Sequence, residues 1–141
     1  MSETTARPVT RPRKEFRNIT IPQILSYRLP LAGKLSILHR ITGALIFLAL
    51  PIFLLPLFES SVRSPEGFEQ FRQFAAHPLS KLVLLVFIWA YLHHFCAGIR
   101  YLALDLHMGI DKAASQRNAG LVFIVSLALT AVFGLKLFGA F

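Results

Sequence analysis

The chain is poor in charged residues and in cysteine. Only 16% of its 141 residues are charged, whereas 55% are hydrophobic. A soluble domain of this length could not bury so much apolar surface, so we expect lipid to form part of its solvent. The single cysteine, Cys96, excludes an internal disulfide. The first 20 residues contain no apolar run, so they do not have the pattern of a cleaved secretory signal.

Acidic residues are also scarce, with 7 Asp and Glu against 15 Lys and Arg and a net charge of +8. Such a charge could indicate nucleic-acid binding. Eight of the cations, however, lie in residues 1–40, before or at the start of the first apolar segment. This distribution is typical of the flank of a membrane protein rather than of a basic surface patch. We therefore predict no nucleic-acid partner.

Three apolar segments are each long enough to cross a bilayer core, which needs roughly 20 helical residues. They cover residues 36–58, 79–104 and 119–141. The sequence therefore predicts an all-α integral membrane protein with three transmembrane helices. A basic N-terminal arm (residues 1–35) precedes the three-helix anchor (residues 36–141).

Two features add detail to this three-helix prediction: prolines in the first apolar segment, and a predicted short helix in the polar connection that follows it. Pro51 and Pro56 fall late in the first segment, where we expect them to kink or end the helix. In the first connection, Ser64-Pro65 is typical of an N-cap followed by proline at the first helical position. Apolar residues then recur at helical spacing. A short interfacial helix, lying on the membrane surface, is predicted here.

The distribution of Lys and Arg predicts the orientation. One side holds eleven cations, namely those of the N-terminal arm and of the second connection (residues 105–118) together with Arg40 and Arg100, against four on the other side. The side that is richer in cations normally faces the cytoplasm or the mitochondrial matrix. We therefore expect a cytoplasmic or matrix N-terminus in a multi-pass protein of the bacterial inner membrane, with the mitochondrial inner membrane as the alternative.

Polar groups inside an apolar span are costly, which makes them candidates for function. The first such cluster has the sequence Ser-Ile-Leu-His-Arg-Ile-Thr-Gly and covers residues 36–43. Ser36 and Arg40 are four residues apart and therefore share a helical face, with His39 nearby. A structural role stays equally open, in which Ser36 caps the helix and Arg40 extends to water.

The second cluster lies near the end of the second span. His94, Gly98, Tyr101 and Asp105 are separated by four, three and four residues, so they form one stripe along a helix. A neutral imidazole one turn from a glycine suits a flat macrocycle, because the glycine leaves room for a ring. Alternatively His94, or His93 on another face, hydrogen-bonds a neighbouring helix.

His39 and His94 are expected at different depths. His39 lies about three residues from the inner end of its predicted span, and His94 about ten from the inner end of the next. At 1.5 Å per residue these depths differ by roughly 10 Å. We therefore do not expect the two to clamp one iron, and a second axial ligand would come from another chain.

Three motifs, in order along the chain, resemble those of the cytochrome b subunit of succinate dehydrogenase: Tyr27-Arg28-Leu29-Pro30, Ser36-Ile37-Leu38-His39-Arg40-Ile41-Thr42-Gly43 and His94-x3-Gly98-Ile99-Arg100-x4-Asp105. The similarity covers roughly residues 18–110, and the third span agrees in kind only. Tyr101 stands where members of the family often have histidine, so no propionate contact is assigned to it.

The resemblance implies a complex in which a flavoprotein oxidises succinate and an iron–sulfur subunit passes the electrons on. Two small membrane-anchor subunits would share haem b and bind ubiquinone. This chain would be one of them, without catalytic activity of its own. By matching position, His94 would be the axial ligand of the haem iron, and His39 and Arg40 would lie by the haem propionates. Ser36 and Arg40 would bind the quinone.

Other functions remain open at this stage. The same resemblance fits the anchor of a quinol:fumarate reductase, because the direction of the reaction depends on cofactors outside this chain. A purely structural anchor without a cofactor is a second alternative. A transporter subunit is less favoured, because the sequence has no internal repeat and no helices broken at paired positions.

Overall fold

The structure is a computed structural model that describes residues 19–140, apart from the side chain of Leu25. In chain order its elements are α1 (Ile21–Ser26), α2 (Leu31–Ala49), a π-helical turn (Leu50–Leu54), α3 (Leu55–Arg63), α4 (Pro65–Ala76), α5 (Pro78–Asp105) and α6 (Lys112–Leu137). Three stretches are long and apolar enough to cross a membrane: Leu31–Arg63, Pro78–Asp105 and Lys112–Leu137. The predicted all-α fold with three spans and a short helix between the first two is confirmed. Residues 1–18 of the predicted arm lie outside the described range.

Two of the long helices begin before the apolar segments do. α2 begins at Leu31, whereas the predicted first span starts at residue 36, and α6 begins at Lys112 rather than at residue 119. A helix can begin outside the apolar segment wherever its first amides, which lack partners within the helix, find hydrogen-bond acceptors. In α6 the carboxylate of Asp111 accepts a hydrogen bond from the amide of Ala114 at 2.9 Å.

The start of α2 has a different partner. Its N-cap residue, Pro30, has no side-chain acceptor, but Oε1 of Gln116 in α6 accepts a hydrogen bond from the amide of Ala32 at 3.2 Å. The side chain of Gln116, near the start of α6, therefore stabilises the first turn of α2. This contact between distant parts of the chain explains why the apolar pattern alone places the start of α2 too late.

Neither proline of the first span ends the helix. Pro51 lies in the π-helical turn and has no amide hydrogen for the carbonyl of Phe47. The turn closes instead with a hydrogen bond from the amide of Leu55 to the carbonyl of Leu50, five residues earlier. Pro56 lies in the first turn of α3, and the chain stays helical as far as Arg63. At the prolines the first span therefore does not end but continues from α2 through one π-helical turn into α3.

The short helix α4 has the predicted N-cap. The side-chain oxygen of Ser64 accepts a hydrogen bond from the amide of Gly67 at 3.0 Å. On its polar face, the guanidinium of Arg72 bonds both carboxylate oxygens of Glu69 at 2.8 Å. Hydrogen bonds from Arg72 and from Gln73 lower the pKa of Glu69 to about 2. α4 therefore presents a charged face while it packs against α3.

The three long helices meet in a small core. Its buried hydrophobic residues are Leu35, Ala97, Ala119 and Val122. Ala97 lies on α5 and Ala119 on α6, and such small side chains let membrane helices approach closely. Most of the other large apolar side chains of the described region are exposed. This is the arrangement expected of helices whose outer faces contact lipid or other subunits.

Two contacts show which helix ends lie together. Near the end of α5, Nη2 of the buried Arg100 donates to Oγ of Ser115 at 2.9 Å and to its carbonyl oxygen at 3.3 Å. At the opposite end, the ammonium group of Lys81 lies 5.7 Å from the ring centroid of Phe138. α5 and α6 are therefore antiparallel. The hydrogen bond from α2 to α6 places the start of α2 at the Arg100 end.

Candidate functional site

The predicted stripe on α5 faces α2 and encloses one of its histidines. The ring of His39 stacks on that of His94 with centroids 4.1 Å apart and planes at 10°. On its other side the ring of Tyr101 lies 4.9 Å away. A Cβ atom added to Gly98 would lie 4.0 Å from Nε2 of His39. The imidazole of His39 therefore lies beside Gly98, on the face of α5 where the sequence predicts room for a macrocycle.

The expected difference in depth between His39 and His94 is wrong, because their rings are in contact. The error has a simple source. α2 begins at Leu31, so His39 lies in the third turn of its helix rather than close to its start. His94 lies eleven residues before the end of α5 at Asp105. Counting from the real helix ends brings the two residues to nearly the same level.

A hydrogen bond orients the ring of His94. Its Nδ1 lies 3.0 Å from the backbone carbonyl oxygen of His39. A carbonyl oxygen can only accept, so Nδ1 carries the proton in this contact, and in the neutral imidazole Nε2 then keeps its lone pair. No described residue hydrogen-bonds Nε2 of His94. The interaction therefore selects the tautomer in which Nε2 is a potential metal ligand.

Gly43 provides the space that the His94 ring occupies. A Cβ atom at this position would lie 2.7 Å from Cε1 and 3.1 Å from Nδ1 of His94. Sequence reasoning placed Gly43 in the first motif but assigned it no role. Its position four residues after His39, on the same face of the helix, was the available signal. The sequence pattern of α2 alone could not predict that a histidine of α5 lies against Gly43.

His93 belongs to a different surface of α5. It is fully buried, and its Nδ1 lies 3.4 Å from Oγ of Ser126 on α6. The ring of Phe123 lies 5.3 Å from the imidazole. Nε2 of His93 is buried without a hydrogen-bond partner among the described residues. The alternative in which a histidine bonds a neighbouring helix thus describes His93 well.

Ser36 and Arg40 are neighbours, as the spacing predicts. Nη2 of Arg40 lies 3.5 Å from Oγ of Ser36, at the long limit of a hydrogen bond. Ser36 accepts in this contact, so its hydroxyl proton is free for another partner. The idea that Ser36 caps the helix is wrong, because the N-cap is Pro30 and Ser36 lies inside α2. Arg40 is exposed and Ser36 is half-buried.

The model of one protein family, described as the transmembrane subunit of succinate dehydrogenase and fumarate reductase, matches residues 12–133.

The chain belongs to this family.

Individual relatives agree with the family match, and all three described here are named succinate dehydrogenase cytochrome b556 subunit. The protein of Rickettsia felis is 32% identical over 124 residues, which cover 86% of this chain and 96% of the relative. That of Coxiella burnetii is 34% identical over 104 residues, covering 73% and 82%. That of Paracoccus denitrificans is 31% identical over 117 residues, covering 79% and 89%. The resemblance drawn from the sequence motifs is confirmed: this is a succinate dehydrogenase-type anchor with bacterial relatives.

Proposed function

We propose that this member of the family binds haem b and ubiquinone, and that it passes electrons from succinate oxidation to the quinone as part of a four-subunit complex. The observation that carries the haem assignment is the hydrogen bond from Nδ1 of His94 to the carbonyl oxygen of His39. Histidines that ligate metals usually donate their second ring N–H to a carbonyl or carboxylate, which fixes the tautomer and raises the basicity of the ligand.

The residues present fit a haem better than a bare metal ion. No group of three or more His, Cys, Asp or Glu side chains that could hold a metal ion occurs within residues 19–140. One oriented imidazole therefore needs a metal that brings most of its own ligands, as the iron of a porphyrin does. When bound, haem b supplies reversible one-electron transfer. His94 would hold the iron through Nε2, and the second axial ligand would come from the partner anchor subunit.

His39 and Arg40 are proposed to lie by the propionates. His39 is half-buried between the rings of His94 and Tyr101, next to the proposed iron ligand. Arg40 follows it and carries a permanent charge. A guanidinium group binds carboxylates with paired hydrogen bonds, which suits a propionate. Arg40 would therefore favour the negatively charged edge of the haem.

Ser36 and Arg40 are proposed to bind the quinone. A quinone that accepts two electrons becomes a strongly basic oxyanion before it is protonated, so it needs fixed donors where that charge develops. The free hydroxyl proton of Ser36 can donate to a carbonyl oxygen, and the guanidinium of Arg40 stabilises the negative charge. Both residues lie in the first half of α2, at the helix end that also holds Arg100 and Ser115.

The same end of the helices is proposed to face the bacterial cytoplasm. It holds the starts of α2 and α6 and the end of α5, and the cation count along the sequence assigns eleven of the 15 Lys and Arg to the same side. An iron–sulfur subunit and a flavoprotein subunit would dock there, and a second small anchor subunit would cover part of the exposed apolar surface. The protein would be a multi-pass component of the inner membrane.

The haem assignment is tested by comparing two neighbouring histidines in the assembled complex. His94→Ala removes the proposed ligand, so we expect the b-type visible spectrum with dithionite to be lost or strongly altered. His93→Ala is the matched control, because the same imidazole is removed one residue earlier, from the surface that faces Ser126. We expect that variant to keep the spectrum.

Haem content per complex should be measured together with subunit composition, so that loss of haem is distinguished from loss of assembly. An unchanged spectrum in His94→Ala, with haem lost in His93→Ala, would contradict the assignment. A complex that assembles from the unaltered chain but has no haem absorbance would leave the purely structural anchor as the function.

A further inference from the structure

Gly43 and the carbonyl group of His39 lie one helical turn apart on the face of α2 that contacts His94. A Cβ atom at Gly43 would approach Cε1 of His94 to 2.7 Å and Nδ1 to 3.1 Å. Carbon atoms in van der Waals contact are normally ~3.5–4.0 Å apart. No side chain larger than hydrogen fits here unless the imidazole moves. We call this gap in the surface of α2 the Gly43 notch.

The carbonyl oxygen of His39 is able to accept from His94 although it belongs to a helix. Within α2 it accepts from the amide of Gly43, which leaves its second lone pair available. The hydroxyl of Thr42 also lies 3.1 Å from this oxygen, but it is closer to the carbonyl oxygen of Leu38, at 2.8 Å. The hydroxyl proton therefore points mainly to Leu38, and the oxygen of His39 stays accessible to Nδ1 of His94 at 3.0 Å.

We propose that the Gly43 notch and the His39 carbonyl together position the imidazole of His94. The notch sets how closely the ring approaches α2, and the carbonyl sets its rotation and its tautomer. Nε2 is thereby aimed away from Nδ1 with its lone pair free. Gly43 is in this sense a positioning residue for the axial ligand, a role that rests on the proposed haem function. It acts through His94 and needs no contact with the haem.

Gly98 and Gly120, in the other two long helices, do not show this constraint. A Cβ atom at Gly98 would meet its nearest neighbour, Nε2 of His39, at 4.0 Å. One at Gly120 in α6 would meet Cδ2 of Leu31 at 3.6 Å. Both distances are ordinary contacts. Of these three glycines, only Gly43 therefore leaves no space for a methyl group, and Gly120 offers a matched control in another membrane helix.

The first experiment compares Gly43→Ala with Gly120→Ala in the complete complex. In Gly43→Ala the displaced imidazole loses its hydrogen bond to the His39 carbonyl, so its basicity falls. A less basic axial ligand stabilises the oxidised iron less. We therefore expect a more positive haem midpoint potential, shifted low-spin electron paramagnetic resonance signals and lower haem content. Gly120→Ala should match the unaltered complex. If Gly43→Ala gives the same haem content, signals and potential as Gly120→Ala, the proposal is overturned.

A second experiment does not depend on bound haem. Gly43→Ala is combined with His94→Ala, and the thermal stability of the complex is measured for both single variants and for the double variant. The proposal predicts that Gly43→Ala lowers the melting temperature when His94 is present and does not lower it when His94 is absent. An equal decrease in both backgrounds overturns the proposal. If Gly43→Ala alone prevents assembly, recovery of assembly in the double variant supports the proposal, and continued failure overturns it.

The two proposals fail in different ways. Retention of the haem spectrum in His94→Ala would contradict the proposed haem function and, with it, the role of Gly43 toward a ligand. Loss of haem in His94→Ala, with a normal spectrum and potential in Gly43→Ala, would leave the haem function in place and remove only the positioning role.

Discussion

Replacement of Ser36 by alanine tests the proposed quinone site most directly. The substitution removes one hydroxyl donor and leaves Arg40, whose Nη2 lies 3.5 Å from the Ser36 oxygen, in place. In an enclosed site, loss of one donor to a developing oxyanion costs about 2.7–4 kcal/mol of barrier. Ser36 is only half-buried, so water can replace part of the lost interaction. We therefore expect a cost of about 1.4 kcal/mol, or about a tenfold decrease in kcat/KM for quinone.

The assay separates the quinone step from the earlier steps. Membranes that contain the complex are tested for succinate oxidation with limiting ubiquinone and, in parallel, with a soluble artificial acceptor that takes electrons before the membrane anchor. Only the quinone-dependent rate should fall. Ser61→Ala is the matched control, because the hydroxyl of Ser61 donates at 2.7 Å to the carbonyl oxygen of Phe58 in its own helix. It should leave both rates unchanged.

Arg40→Leu should be more severe than Ser36→Ala, with a decrease of roughly 100-fold, because it removes the charge as well as several donors. An unchanged kcat/KM for ubiquinone in Ser36→Ala would refute the reasoning. Because Ser36 lies inside α2 and does not cap it, no capping effect can account for a change in rate. Equal losses in both assays would show an effect on assembly instead.

Two further predictions concern topology and packing. Cysteines introduced singly at Lys112 and Glu66, in a Cys96→Ala background, should be labelled from opposite sides of the membrane, and labelling of residue 112 from outside intact cells would contradict the cytoplasmic N-terminus. Ser126→Ala removes the partner of the buried Nδ1 of His93, so thermal unfolding should show a loss of about 1–3 kcal/mol while the haem spectrum persists; unchanged stability would show that water or another group satisfies the imidazole.

The architecture was largely accessible from the sequence, because hydrophobic length and cap residues act locally. The three spans and the helix that starts after Ser64 follow from such signals, and the structure confirms them. The beginning of α2 did not follow, because its first turn depends on Gln116, far along the chain. The beginning of α6 has a local signal in its cap residue, Asp111, which the apolar pattern does not include. Pro51 was expected to kink or end a helix, and it does not end the helix, because the hydrogen bond of Leu55 to Leu50 continues it.

In the candidate site, too, contacts within one helix could be predicted from the sequence, whereas contacts between helices could not. The neighbourhood of Ser36 and Arg40 follows from a spacing of four residues within one helix, and it is found in the structure. The contact between His39 and His94 depends on how far α2 is displaced along α5, which periodicity within either helix does not encode. The closeness of Gly43 to the His94 ring depends on the same displacement, so sequence reasoning gave that glycine no role.

The π-helical turn at Leu50–Leu54 also bears on how the length of this chain can change. A hydrogen bond that spans five residues encloses one residue more than the usual bond that spans four, without turning the following helix face away from its neighbours. The first span can therefore hold an additional residue at this point while α3 remains packed against α4. Loss of Pro51 from the turn would remove the residue that lacks an amide hydrogen and return the segment to ordinary α-helix, with both flanking faces in place. Within the first span, this turn is the segment where deletion of one residue should be best tolerated.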